Sequence, residues 1–549
     1  LQGLYTDGIS VFLPKETKPE LNGNQLIFHQ GTWSVEYLNS LAGLRQNFIV
    51  ENPGYAIDRL QVSIKVHGAT IEMENEEGLL FQLCKKGAEG IHYYSLKAWD
   101  ANEKPLHAEF VMQSSNQFML QVDAGHAAFP ITIDPLSGTQ LSLNQNADWE
   151  GEQNQANSGY GISVSSAGDV DGDGKADLLI AAPGAEGGPN EAGDQGHTYL
   201  VASADLAAAD AADGETDGII DLGNVAAQSG SYVLVGEDTD DLSGNSVSSA
   251  GDVDNDGKAD LLIGAYNAEG GPNEAAGQGQ TYLVSSAILA AADAADGETD
   301  GIIDLGHTAA QTGSYVFFGE DAGDQSGLTV SSAGDVDGDG RDDLLIGANN
   351  AEGGPNEASN QGHAYLVTAA DLVLADSIGG GSGNIDLGLV AGLPNSYVFV
   401  GEDSIDGAGW SVSSAGDVDG DGKADLLIGS FFARGGPNDA FAQGHTYLVT
   451  AADLAAADSV DGADGIIDLG NIAVQSGSYV FAGADAGDTS GFSVSSAGDV
   501  DGDGKDDLLI GAYGAEGGPN EAENQGLTYL VTAADLAAAD EADADGADG

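Results

Sequence analysis

Five acidic nonapeptides carry the chemistry of this sequence. The first is Asp169-Val-Asp171-Gly-Asp173-Gly174-Lys175-Ala-Asp177, and the pattern returns from Asp252, Asp335, Asp417 and Asp499. Acids at positions 1, 3, 5 and 9 with Gly at position 6 describe a loop that wraps a hard cation in oxygen ligands. Calcium is the natural occupant, because it accepts about six to eight oxygens in a flexible shell, whereas magnesium demands a tight octahedron. The expected side-chain ligands are Asp169, Asp171, Asp173 and Asp177; Asp252, Asp254, Asp256 and Asp260; Asp335, Asp337, Asp339 and Asp343; Asp417, Asp419, Asp421 and Asp425; and Asp499, Asp501, Asp503 and Asp507. Position 7 holds Lys175, Lys258, Arg341, Lys423 or Lys505, where a calcium loop uses the backbone carbonyl. Four carboxylates brought this close repel one another unless a cation compensates them.

Position 12 separates these loops from an EF-hand, which needs a bidentate Glu there. Here it is Ile180, Ile263, Ile346, Ile428 or Ile510, each inside a short apolar run. A second stretch repeats the acidic register in the first two repeats: Asp213, Glu215, Asp217 and Asp221 around Gly218, then Asp296, Glu298, Asp300 and Asp304 around Gly301. It reads either as an auxiliary calcium site or as an acidic solubilising turn. The Gly-Gly-Pro-Asn turns ending at Asn190, Asn273, Asn356, Asn438 and Asn520 read as conformational. His197, His363 and His445 share a position that holds Gln280 and Leu527 in the other repeats, which argues against a catalytic or zinc role. There is no nucleophile elbow, no His-Glu-x-x-His and no phosphate-binding Gly-rich Lys motif. No catalytic residue is assigned, and the chain reads as non-enzymatic.

Positioning these loops falls to a repeated set of short strands. Loop starts lie 83, 83, 82 and 82 residues apart, and a fixed period of this length means a propeller, solenoid or array. Within a period, Ser163–Ala167 leads into the loop and Ala176–Ala181 follows as a buried strand. Gly196–Val201 is a further strand, Ser203–Ala212 a short helix, and Ile219–Leu222 with Ser231–Val235 a final strand pair. About four strands per period is what one propeller blade needs. Residues 1–137 form a separate β-rich, sandwich-like domain of alternating runs broken by Asn-Gly, Asn-Pro and Glu-Gly punctuation. Trp33 and Trp99 read as core anchors there, and Cys84 as a buried thiol. Residues 138–549 form the repeats.

Charge follows the same division. Residues 1–137 hold 16 acidic and 9 basic side chains, while residues 138–549 hold 73 and 6. Five of those six basic residues occupy position 7 of the loops, and the sixth is Arg434. A net charge of −74 argues against nucleic acid as a partner. A single cysteine allows no internal disulfide framework, and no apolar run is long enough for a membrane span. Weak calcium sites fill at extracellular concentrations, so the expected location is extracellular or at the cell surface.

The set Ser158-Gly-Tyr160-Gly161, Ala167-Gly-Asp169-Val-Asp171-Gly-Asp173-Gly174, Asp177-Leu-Leu-Ile180 and Ala181-Ala-Pro183 resembles the FG-GAP repeat of integrin α-subunit β-propellers and their bacterial relatives. The first tag is looser elsewhere, with Asn245, Leu328, Trp410 and Phe492 in the place of Tyr160. Phe129-Pro-Ile-Thr-Ile-Asp134-Pro135 resembles the closing strand of domains that precede repeats in large bacterial surface proteins. The resemblance implies an all-β chain: a calcium-binding β-propeller of five FG-GAP repeats after a smaller β domain. It also implies calcium held in a hairpin between adjacent strands, and loops on one face of the disc that bind a protein or glycan. Either Thr139–Leu143 supplies the strand that closes five blades into a ring, or the chain is part of a longer array. The expected function is a calcium-stabilised binding or adhesion module. The rivals are the propeller of a secreted polysaccharide-active enzyme, for which Arg434 is the one symmetry-breaking cation, and a passive spacer.

Overall fold

The computed structural model describes residues 3–536 apart from several turns and connections, chiefly 12–19, 51–58, 84–90, 139–148, 151–161, 187–192, 213–219, 270–275, 354–358, 435–440 and 517–525; before residue 96 it describes mainly strand backbones. The chain divides into two compact units, Leu1–Asn146 and Ala147–Gly549.

The first unit is built from two sheets. An eight-stranded sheet runs in the order Glu20–Asn22, Gln25–His29, Trp33–Ser40, Gly43–Val50, Ile131–Gly138, Ile91–Trp99, Gly78–Leu83 and Ala69–Asn75. A five-stranded sheet runs Ala108–Ser114, Gln117–Asp123, Arg59–Lys65, Gly3–Thr6 and Ile9–Val11. Alternation sets the buried face. Along Gln117–Asp123, Phe118, Leu120 and Val122 point inward and their neighbours do not. Those residues share one core with Phe48, Val50, Ile131 and Ile133 of the larger sheet, the arrangement of a β-sandwich. Trp99 is half-buried; Cys84 and the side chain of Trp33 lie outside the described residues.

In the second unit each repeat forms one sheet. The first sheet orders its strands Val164–Gly168, Asp177–Ala182, His197–Val201 and Tyr232–Val235, all antiparallel. Ser203–Asp205 and Leu206–Asp210 add the expected short helical piece. The next three repeats have the same order, and the fifth contributes Ser490–Gly498, Asp507–Ala512 and Leu527–Val531. Second and third strands of repeats two to four are buried at every residue, because both faces of those sheets are covered. Leu179 and Ala181 pack with Leu261, Ile263 and Tyr282 of the following repeat in one core. First strands of successive repeats lie beside one another.

One expected pairing is different. Ile219–Leu222 and Ser231–Val235 do not form a strand pair within their repeat. Ile220–Asp221 instead runs parallel to Trp149–Glu150, and its counterpart Ile302–Asp304 runs parallel to Tyr232–Val235 of the preceding repeat. The backbone N–H of Val233 donates to the carbonyl of Gly301 at 2.8 Å. Each such strand therefore stitches its repeat to the one before it. Trp149–Glu150 stands where the closing strand stands in later repeats, and Thr139–Leu143 lies outside the described residues. Among the described residues no strand pairing joins the first sheet to the last. Their outer faces are correspondingly open: Val164 is 64% exposed where Val247 is 5%, and Tyr529 is 40% exposed where Tyr447 is 1%.

Candidate metal centre

Each acidic loop connects the first and second strands of a sheet, and its own side chains fold it. Position 1 carries most of that work. In the first loop the Asp169 carboxylate accepts the N–H of Gly172 at 2.8 Å and of Gly174 at 2.9 Å. Gly172 and Gly174 take φ of 82° and 86°, a region that glycine enters without a steric penalty. Asp335 and Asp499 bond the same two positions of their loops. Position 5 turns to the loop's exit, where Asp173 accepts the N–H of Lys175 at 2.9 Å.

Position 9 is the first residue of the second strand and is buried in every loop: Asp177, Asp260, Asp343, Asp425 and Asp507 are at most 1% exposed. One oxygen of Asp260 accepts the N–H of Val253 at 3.1 Å and the other that of Ser286 at 2.9 Å. The carboxylate thus ties loop, strand and short helical piece together. Burial raises the carboxyl of Asp177 and pushes those of Asp260, Asp343 and Asp425 up to about 7. A cation beside them reverses that shift.

Three carboxylates converge in each loop, with one oxygen of each within 4.8 Å of the others: Asp169, Asp171 and Asp177; Asp252, Asp254 and Asp260; Asp335, Asp337 and Asp339; Asp417, Asp419 and Asp425; Asp499, Asp501 and Asp507. Positions 1, 3 and 9 form the group in four loops. In those four, position 5 (Asp173, Asp256, Asp421 or Asp503) stands outside it; in the third loop Asp339 joins it and Asp343 stands outside. A hard, oxygen-only donor set with excess negative charge fits calcium. The position 7 side chains are not in the groups: Lys175 reaches its own Asp173 at 3.0 Å, and Lys258 and Lys423 reach a neighbouring loop.

The second acidic stretch has a conformational use. Asp221 and Asp304 accept the N–H of Gly223 and Gly306 and cap short 3₁₀ helices, as Asp386 and Asp468 do in later repeats. Glu298 and Asp300 are exposed, and among the described residues they join no metal-holding group. Asp213, Glu215, Asp217 and Asp296 lie outside the described residues.

With the loops placed, the family can be read. The FG-GAP repeat family matches residues 160–201, 243–284, 326–367, 408–441 and 490–530. The chain carries five FG-GAP repeats. Comparison with curated proteins finds no match. Every matched segment contains one acidic loop and its two flanking strands, so the repeat and the metal group are one unit of structure.

At the opposite end of the repeats sit acids that sequence reasoning passed over, and aromatic rings that it did not bring together around Arg434. In repeats two to five the turn leading into the first strand carries a buried Asp whose carboxylate accepts an N–H three residues back: Asp241 from Asp238, Asp324 from Asp321, Asp406 from Asp403 and Asp488 from Asp485. Burial pushes Asp241 and Asp406 up to about 7 and Asp324 to about 6. Aromatic rings also gather here. Trp410 lies 4.3 Å from Phe431 and 5.6 Å from Phe492, centroid to centroid; Phe431 lies 3.9 Å from Phe432; and Arg434 lies 4.8 Å above the Phe441 ring. Phe432 is 38% and Phe441 60% exposed. The available signal was the break in repeat symmetry, since Asn267 and Asn350 hold the place of Phe432, and Ala276 and Ser359 that of Phe441. The buried histidines are structural: burial lowers His363 and His445 to about 4, and each ring lies 3.2 Å from a Tyr hydroxyl.

Proposed function

We propose that the chain is a non-enzymatic, extracellular binding or adhesion module whose repeats are the blades of a calcium-held β-propeller. The observation that carries this reading is the division of labour within the repeat. All five loop ends keep one acidic design, while the opposite end of the fourth repeat presents Phe432, Arg434 and Phe441, which no other repeat carries. Calcium neutralises the loops and fixes the strands; the fixed strands hold the far turns still enough to select a protein or glycan ligand. Exposed aromatic rings flanked by polar turns suit such recognition. No helix among the described residues is long and apolar enough to cross a membrane, so display at a surface would rest on other parts of the molecule or on partners.

The rival reading, a propeller belonging to a polysaccharide-active enzyme, has less support. Its one symmetry-breaking cation, Arg434, is engaged over Phe441. Glycan and protein arrays probed with calcium and with chelator test the proposal. Binding that needs calcium and is lost in Phe432→Ser/Phe441→Ser supports it. Turnover of a bound polysaccharide, or no binding at all, overturns it.

A further inference from the structure

We infer that positions 7 and 8 of the second to fifth metal loops position the metal loop of the preceding repeat, so that neighbouring calcium sites fill cooperatively. This rests on the reading of the loops as calcium sites. The same bond recurs at all four junctions. The position 8 N–H donates to the position 1 carbonyl of the loop before it: Ala259 to Asp169 at 2.9 Å, Asp342 to Asp252 at 3.3 Å, Ala424 to Asp335 at 3.0 Å and Asp506 to Asp417 at 3.1 Å. Each acceptor is also a member of its own carboxylate group.

The donor is equally well placed. The position 8 N–H and the position 7 carbonyl belong to one rigid, planar peptide unit. That carbonyl is the one the loop register offers to its own cation. Fixing the peptide from one side therefore aims it on the other, and polarising its carbonyl strengthens its N–H as a donor.

Side chains reinforce each junction in one of two ways. At the first and third junctions, Lys258 Nζ donates to the Asp171 carbonyl and Lys423 Nζ to the Asp337 carbonyl, both at 2.9 Å. At the second and fourth, Asp342 and Asp506 accept the backbone N–H of Asp252 and Asp417, both at 2.8 Å. The approach is so close that a Cβ on Gly168, Gly251, Gly334 or Gly416 would run into the position 8 side chain. The ends supply the contrast. Lys175, which has no earlier loop to reach, folds back onto Asp173, and a Cβ on Gly498 would meet nothing within 4 Å.

The test is calcium titration of the full chain by calorimetry, with hydrogen exchange read peptide by peptide, for the native chain and for Lys258→Met/Lys423→Met. The native chain should show a Hill slope above one. The variant should keep its stoichiometry, lose slope, and need roughly three- to tenfold more calcium, the net worth of one partly exposed hydrogen bond per junction. Removing positive charge next to an anionic site would by itself tighten calcium, so weaker binding separates positioning from electrostatics, and Lys258→Arg/Lys423→Arg should restore part of it. Exchange should rise in 169–177 and 335–343, the loops before the substituted ones. Uptake with a slope of one in the native chain, or faster exchange only in the substituted loops, overturns the inference and leaves the calcium sites standing. No uptake at all overturns both.

Discussion

The two ends of a repeat obey different rules. At the loop end, five copies present the same acids and the same positive-φ glycine at position 6, and all four junctions repeat one backbone bond to the next loop. At the far end, the residue seven places before the loop is Asn245, Leu328, Trp410 or Phe492. Uniformity goes where every repeat meets the same ion and the same backbone bond; variety is tolerated where side chains meet solvent and one another, as Trp410 meets Phe492. The loop end accounts for how the sheets are held, and the far end for what they can hold.

Removing the cation should produce the largest effect. At calcium about 100-fold above Kd each filled site contributes about 2.7 kcal/mol, so chelation should lower the melting temperature of the repeats steeply, seen by calorimetry. Equal melting with and without chelator would dissolve the distinction between the ends.

Next come single carboxylates. Asp260→Asn removes charge from a buried group and turns an amide N–H toward a backbone N–H, an effect of about 2–3 kcal/mol on stability even without calcium. Asp256→Ala in the same loop should cost less than half as much, because position 5 stands outside the group there. In the third loop the order of metal affinities reverses: Asp339→Ala should weaken uptake more than Asp343→Asn. Calorimetric melting checks the first ranking and calorimetric calcium titration the second.

The sequence was legible at the loop end because the ligand pattern is local. Asp at 1, 3 and 9 with glycines between them dictates one turn whatever surrounds it. What was not legible is what depends on distant chain. Strand Ile302–Asp304 has the composition of a strand, but alternation does not name its partner, and the partner is in the repeat before. Nothing in the sequence ties Gly168 to Ala259 of the following repeat, which a Cβ at Gly168 would strike. Positions 5 and 9 look equivalent as ligands until burial separates them. The order of the sandwich strands in the first unit was beyond reach for the same reason as Ile302–Asp304.

A third effect follows from the raised carboxyls. Asp260, Asp343, Asp425, Asp241 and Asp406 titrate near 7 and Asp324 near 6 in the folded, metal-free chain, against about 3.9 when unfolded. Between those values the folded state holds more protons than the unfolded one, so stability falls as pH rises from about 4 through about 7. In chelator, melting should therefore improve on acidifying from pH 8 to 5.5. In calcium the loop carboxyls are held ionised, and the same acidification should lower melting as protons compete with the ion. A metal-free chain that loses stability over that range would contradict the burial assigned to these groups.

The smallest effect on stability belongs to the far end. Phe441→Ser should shift melting by about 1 °C or less, as exposed side chains do, and Phe432→Ser by somewhat more, because its ring packs on Phe431; the pair should leave calcium uptake unchanged while abolishing ligand capture. A large fall in melting would move these rings from recognition to packing.

The most direct measurement is the calcium content of the metal-stripped, re-equilibrated chain, by equilibrium dialysis with atomic emission. Five bound ions per chain are predicted at millimolar free calcium, one for each three-carboxylate group. A chain that retains none, and melts at the same temperature in calcium as in chelator, would contradict the claim that these loops are metal sites holding the repeats together.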